Sequence, residues 1–205
     1  MTENDQIASE AGQPCPRIGV ILAGGLSRRM GADKAEAMLA GRPLIDHVVE
    51  RLAPQVDCIL IAGPHDYGTG LAFTPDHADG PRGPAAGLWA AAHWVAKHAP
   101  GAAGFVTAPV DGPFLPPDLY EKLSAGKVCA IAANTEGDHP PFAYWRLSVM
   151  MAKLGAAGTA DKGLALIALA ESCAARRVEF SQRHCLMNIN SPEDLARAEK
   201  AGDRK

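Results

Sequence analysis

Gly19-Val-Ile-Leu-Ala-Gly-Gly-Leu-Ser-Arg-Arg-Met-Gly-Ala-Asp-Lys34 joins an apolar run to a glycine-rich turn that carries three cations. Ile18 to Leu22 has the unbroken β-branched and leucine character of a strand buried on both faces, and such strands belong to parallel sheets covered by helices. Ala23-Gly24-Gly25 then removes side chains where the chain leaves the strand, so main-chain N–H groups lie open to an anion beyond the strand's carboxyl end. Arg28, Arg29 and Lys34 bring positive charge to the same turn. A guanidinium forks phosphate oxygens, and an ammonium acts as a mobile point charge on a phosphate or a leaving group.

Two common phosphate loops do not fit. A Walker A loop requires Gly-x-x-x-x-Gly-Lys-Ser/Thr, whereas here five residues separate Gly25 from Gly31 and the lysine stands three positions after Gly31. The dinucleotide spacing Gly-x-Gly-x-x-Gly is not met either. A bare Gly-Gly pair with basic neighbours is also compatible with a solvated surface turn, and only the whole string lowers the weight of that account. Leu22-Ala-Gly-Gly-Leu-Ser-Arg-Arg-Met-Gly-Ala-Asp-Lys34 resembles the signature loop of nucleotidyltransferases that act on cofactors and sugars, and within them the molybdenum cofactor guanylyltransferases. The resemblance implies a loop that wraps the triphosphate of GTP, Gly25 included. It puts the main chain of Leu22, Ala23 and Gly24 against the base and Lys34 on phosphate. Related cytidylyltransferases tend to carry Leu-Ala-Ala-Gly, so Gly24 argues for a guanine nucleotide.

The chain has 205 residues, 47% of them hydrophobic, which suits one domain with a substantial core. The expected organisation is a flexible N-terminal tail at 1–15 and a single nucleotidyltransferase domain at 16–205. A net charge of −3 offers no general attraction to nucleic acid or an anionic membrane, so the cations of the first loop are a local feature aimed at a small target. Cysteines 15, 58, 129, 173 and 185 form no Cys-x-x-Cys pair and no ligand-like cluster with the seven histidines, which argues against a zinc site and a disulfide framework. A reducing cytoplasm is the expected home. Met1 to Cys15 lacks the pattern of a secretory signal, and no apolar run reaches the ~18 residues a membrane span requires.

Periodicity predicts a helix over 43–53, strands at Cys58–Ala62 and Leu71–Thr74, and a helix over about 83–98 with Leu88, Ala91, Ala92 and Val95 facing inward. A strand at 104–108 and a short helix from Pro116 through Leu123 follow. Val128 to Ala133 should be a strand, Gly137-Asp-His-Pro140 an interruption, and Phe142 to Trp145 a further strand. Helices at 147–154 and 162–172, an edge strand at Val178–Phe180 and a helix entered through Ser191-Pro192 complete the chain. The alternation predicts an α/β fold with a mostly parallel, Rossmann-like central sheet, helices on both faces and a site along the strand carboxyl ends, and the resemblance implies the three-layer nucleotidyltransferase form of it.

Asp76 follows the third strand at such an end, where it can equally serve as a turn cap. The resemblance implies that it contacts the nucleotide. Asp111 follows the strand at 104–108. A carboxylate there, facing a phosphate loop, is the oxygen ligand that Mg²⁺ selects when it also holds substrate phosphates, although Asp111-Gly112-Pro113 is compatible with a turn alone. The family's Asp-x-Pro pattern at this place implies magnesium on Asp111. A Gly137-Asp-His-Pro segment resembles the family's second-substrate side, implying acceptor contacts from Asp138 and His139. In Met187-Asn-Ile-Asn-Ser-Pro-Glu-Asp-Leu195, Ser191 to Asp194 has the form of a helix cap, which leaves Asn188 and Asn190 unexplained. The resemblance implies that both asparagines lie near the active site on the acceptor side.

The activity implied is Mg²⁺-dependent transfer of GMP from GTP to the terminal phosphate of molybdenum-molybdopterin. Pyrophosphate leaves and a guanine dinucleotide cofactor forms, with Arg29, Lys34 and Asp111 as the catalytic groups. Molybdoenzyme chaperones and other cofactor-biosynthesis proteins are the expected macromolecular partners. One departure stands out, because family members often carry asparagine at the end of the second strand and this chain has Ala62. A molybdopterin cytidylyltransferase or sugar-phosphate nucleotidylyltransferase is therefore the nearest alternative. A non-catalytic nucleotide-binding module docked on a molybdoenzyme chaperone is the other, and the presence of Lys34 and Asp111 speaks against it.

Overall fold

The structure, a computed structural model, describes residues 15–24, 33–157, 164–182 and 184–202. β1 (Ile18–Leu22) is buried from Ile18 to Ile21 and half-buried at Leu22, as its unbroken apolar run requires. Beyond it, a single 3₁₀ turn at Lys34–Glu36 leads to a small antiparallel ribbon, β2 (Met38–Leu39) and β3 (Arg42–Pro43). α1 (Leu44–Leu52) buries Leu44, Ile45, Val48 and Leu52, the stripe that helical spacing predicts. Pro43 precedes this helix rather than opening it. β4 (Cys58–Ala62), β5 (Ala72–Thr74) and α2 (Ala85–His98) come next, and Leu88, Ala91, Ala92 and Val95 of α2 are buried as expected. β6 (Gly104–Pro109) is buried throughout, and α3 (Leu119–Ser124) starts after Pro116-Pro117 rather than on it. The chain continues with β7 (Ala130–Asn134), β8 (Gly137–Arg146), α4 (Leu147–Ala157), α5 (Leu166–Ser172), β9 (Arg176–Glu179) and α6 (Pro192–Gly202).

Seven strands form one sheet in the order β5-β4-β1-β6-β8-β7-β9. Only β8 runs against its neighbours; every other pairing in this sheet is parallel. α1 and α3 cover one face, packing against Ile21, Ile61, Val106 and Tyr144, while α2, α4 and α5 cover the other over Val20, Leu60, Phe105 and Trp145. This is the three-layer arrangement expected. The buried Trp145 indole donates to Thr107 Oγ1 at 3.1 Å, so the largest side chain of the core leaves no orphan donor.

The register makes the strand ends level. Leu22 is opposite Ala62 on one side and Pro109 on the other, and Ala62 is opposite Thr74. From β1 the chain moves outward to β4 and β5, then returns to place β6 on the far side of β1. That reversal opens a crevice beyond the carboxyl ends of β1 and β6, where open α/β sheets take their ligands.

The expected interruption at Gly137-Asp-His-Pro140 is instead the start of β8. Ten residues pair in sequence except at one irregularity, where Ile131 is opposite Ala143 but Ala132 is opposite His139. Pro140 and Pro141 fall in that offset. Proline has no N–H for a ladder, and a bulge lets the strand continue past it. Among the described residues no helix is long and apolar enough to cross a membrane.

Candidate active site at the strand carboxyl ends

Lys34 is presented by the 3₁₀ turn, whose N-cap Asp33 accepts the Ala35 N–H at 3.0 Å through Oδ1. Its ammonium crosses the crevice and donates to Asp111 Oδ2 at 2.6 Å and to Asn190 Oδ1 at 2.6 Å. Asp111 sits in the turn after β6, sewn to β1 by Val110 N–H donating to the Leu22 carbonyl at 3.1 Å. The turn closes through Gly112 N–H to the Pro109 carbonyl at 3.0 Å. A side chain on Gly112 would overlap the Phe142 ring, which explains the glycine. Asp111 is thus both a turn residue and a charged group aimed into the crevice. The Lys34 and Asp111 side chains keep 17% and 16% exposure, so their attraction is less screened than that of a surface pair.

The segment with Asn188 and Asn190 docks on the same turn, since Ile189 N–H donates to the Asp111 carbonyl at 2.7 Å. Ile189 is buried among Leu39, Leu44 and Ala198, which turns the flanking asparagines the other way. Asn188 Oδ1 is buried without a hydrogen-bond partner among the described residues. Ser191 Oγ accepts the Asp194 N–H at 3.2 Å and Asp194 Oδ2 accepts the Asn190 N–H at 2.9 Å, so the predicted helix cap also fixes the backbone of Asn190.

Asp76 stands beyond β5, across from the Gly24 turn and the start of α2. A Cβ on Gly24 would lie 3.7 Å from Asp76 Oδ1 and one on Gly87 would lie 3.9 Å from it. Burial pushes the Asp76 carboxyl above its usual range, against a smaller opposing effect of His77. Ala62, at the neighbouring strand end, contributes no polar side chain; its carbonyl accepts the Ala23 N–H at 2.8 Å. Leu22, Ala23 and Gly24 therefore bound the crevice through their main chain.

The residues predicted for the acceptor side divide. Asn190 joins Lys34 and Asp111, and Asn188 precedes Ile189, whose N–H donates to the Asp111 carbonyl. Asp138 instead pairs with Arg177 on β9, and His139 Nε2 is 2.9 Å from Asn134 Oδ1. Burial pushes the His139 imidazole below its ordinary range, favouring the neutral ring. Neither touches the Lys34 cluster. Gly25 and Arg29 lie outside the described residues. Tyr67 was not legible in the sequence, because it stands in a polar, glycine-containing connection with no periodicity; its hydroxyl is within hydrogen-bond distance of Ala23 O and Asp33 Oδ2.

The donor set suits a hard cation. Asp111 Oδ2 and Asn190 Oδ1 converge on one point, held by the Lys34 ammonium. No group of three His, Cys, Asp or Glu side chains assembles a metal site among the described residues. One carboxylate with a neutral oxygen fits Mg²⁺ completed by substrate phosphates and water, rather than a metal caged by protein alone.

A cation and a carboxylate meeting at the switch point of a parallel sheet are placed to handle the phosphates of a nucleotide, as an α/β nucleotide-binding protein requires. Comparison with known proteins narrows the class. Residues 19–176 match the family described as the MobA-like NTP transferase domain. A molybdenum cofactor guanylyltransferase from Cereibacter sphaeroides is 43% identical over 191 residues, which cover 89% of this chain and 95% of that relative. A protein of the same name from Rhodopseudomonas palustris (strain BisB5) is 36% identical over 193 residues, 88% of this chain and 91% of its own. Among solved structures, molybdopterin-guanine dinucleotide biosynthesis protein A from Archaeoglobus fulgidus matches with a TM-score of 0.70 at 25% identity, covering 92% of this chain and 100% of that one. The chain belongs to the MobA-like NTP transferase family.

Proposed function

We propose that this protein transfers GMP from GTP to the terminal phosphate of molybdenum-bearing molybdopterin, forming the guanine dinucleotide cofactor. The observation that carries the reading is the Lys34–Asp111–Asn190 cluster at the switch point, in a chain whose relatives are named for this activity. An acceptor phosphate oxygen forms a bond to the α-phosphorus of GTP while the bond from that phosphorus to the bridging oxygen breaks, and pyrophosphate leaves with the electron pair. The acceptor is already an anion, so the protein's work is to align two anions and offset the charge that develops.

Lys34 exchanges its contact with Asp111 for the triphosphate, and Arg29 supplies a second cation. Asp111, with Asn190 beside it, would hold Mg²⁺, which supplies Lewis-acid neutralisation of phosphate charge when bound, and Asn188 belongs to the acceptor side. The half-buried Asp76 carboxylate accepts from the base, where guanine offers two adjacent N–H donors, and the Leu22–Gly25 main chain completes that wall. Because Ala62 brings no side-chain polar group, selection of guanine rests on Asp76 and the backbone. His139 and Asp138 line the approach of the acceptor from β8. Residues 16–205 act as a single domain behind the N-terminal tail. The five cysteines suit a reducing cytoplasm, and delivery of the product to molybdoenzyme chaperones is part of the same reading. Pyrophosphate release measured with molybdopterin, magnesium and each of GTP, CTP and UTP tests it. A clear preference for GTP is expected. Preference for CTP would reassign the protein as a cytidylyltransferase, and no release with any nucleotide would leave a binding module.

A further inference from the structure

Tyr67 lies between β4 and β5, on no regular element, yet its hydroxyl meets both sides of the nucleotide crevice. The oxygen is 3.2 Å from the Ala23 carbonyl oxygen and 3.0 Å from Asp33 Oδ2. One phenolic proton faces two acceptors and is shared, with the charged carboxylate making the stronger bond. Asp33 is the residue before Lys34, and its other carboxylate oxygen caps the turn that presents Lys34. Ala23 adjoins Gly24 at the exit from β1. A single hydroxyl therefore ties the backbone wall of the crevice to the base of its cation.

The surroundings hold Tyr67 to this task. Its backbone has a φ of 53°, a left-handed conformation uncommon outside glycine. Asp66 secures the bend, its carboxylate accepting Gly68 N–H at 3.2 Å and Gly70 N–H at 3.1 Å. The ring lies 4.0 Å from that of His65 and over Gly63, where a Cβ would come 3.4 Å from Tyr67 Cε2 and 3.1 Å from Ala23 Cβ. Sparsely populated backbone conformations persist where neighbouring contacts over-determine them, and they cluster at functional sites. Burial and the Asp33 carboxylate both push the Tyr67 hydroxyl up, so it stays a donor through the neutral range.

We propose that Tyr67 is a positioning residue for the nucleotide: its hydroxyl fixes the Ala23–Gly24 main chain relative to Lys34 before GTP arrives. The inference rests on the GTP reading above. Without the tie, these two walls would have to be ordered during binding, so the loss falls on affinity more than on the chemical step.

Tyr67→Phe keeps the ring and removes only the oxygen. KM for GTP should rise about tenfold with kcat within about twofold, the size of one hydrogen bond to a charged partner. KM for the acceptor should not move, and the melting temperature should fall by roughly 2–4 °C as the same bond is lost from the fold. Amide hydrogen exchange gives a readout independent of turnover. The Ala23 and Ala35 N–H groups should exchange several-fold faster in the variant, while those of β6 keep their parental rates. Combining Tyr67→Phe with Asp33→Asn should raise KM by less than the product of the two single effects. An unaltered KM overturns the proposal whatever the exchange does. A raised KM with unaltered exchange also overturns it, by making the hydroxyl a direct contact of the substrate. A parent protein that releases no pyrophosphate from GTP sinks the GTP reading alone, since the exchange comparison still decides on the tie.

Discussion

Asp111 and Lys34 hold each other 2.6 Å apart, so each is the other's partner as well as a candidate ligand for phosphate chemistry. Asp111→Asn keeps the shape of the turn and loses the charge. GTP retains Lys34 and the backbone of the crevice, so binding should remain measurable while pyrophosphate release falls by about 10² to 10⁴, as expected for removal of one electrostatic element at a reacting phosphate. A magnesium titration of pyrophosphate release beside calorimetric GTP binding checks this, and near-parental rates would reduce Asp111 to a turn residue.

Asp76 allows a test of opposite sign on stability. Its folded-state pKa lies above its unfolded value because burial disfavours the charged form. The folded protein therefore loses stability as pH rises between those two values, and the penalty is full above the raised one. Asp76→Asn removes the penalty, so the variant should melt higher than the parent at pH 7, with the gap closing as the pH falls toward the carboxylate range. The same variant should bind GTP more weakly. Equal melting curves at pH 7 would mean that the carboxylate is solvated in place. Lys34, Asp76 and Asp111 were legible in the sequence because each stands directly beside an apolar run or its turn. Tyr67 was not, since it acts on Ala23 and Asp33 from 44 and 34 positions away.

The start of α6 joins stability to chemistry through one residue. Ser191 caps the helix and Asp194 reaches back to the Asn190 N–H, while the Asn190 side chain accepts from Lys34. Ser191→Ala should destabilise the fold by about 1 kcal/mol, read as a fall of roughly 2–4 °C in melting temperature. Asn190→Ala leaves the capping bonds intact, so its melting temperature should stay close to parental while turnover drops. A variant Asn190→Ala that melts early and turns over normally would make the asparagine structural. β8 shows the opposite limit of legibility. Its apolar half at Phe142–Trp145 declared itself, whereas Gly137–Pro141 concealed strand structure because two prolines mimic a loop until the bulge that absorbs them is seen.

The sheet separates its stability from its site along the strand direction. Gly104 opens β6 at the end away from Asp111, paired with Arg146, and a Cβ there would overlap the Trp145 carbonyl and come 2.8 Å from the Tyr144 ring. Backbone of a central strand cannot give way as a flexible side chain can. Gly104→Ala should thus destabilise by about 1–3 kcal/mol, a fall of roughly 3–10 °C, with the kinetic constants of the folded fraction unchanged. Thermal melts paired with kinetics at low temperature check it; altered KM for GTP would show that strain travels along β6 to the crevice.

The Lys34–Asn190 contact joins positions 156 residues apart. Translation adds about 5–20 residues per second, so Asn190 is made roughly 8–30 s after Lys34. The amino-terminal strands and α1 can meet early, but the oxygens that flank the Lys34 ammonium come together only after Asn190 has been made. A nascent polypeptide that stops short of Asn190 would have the crevice lysine without its full complement of partners, so the timing of synthesis itself delays assembly of this cluster.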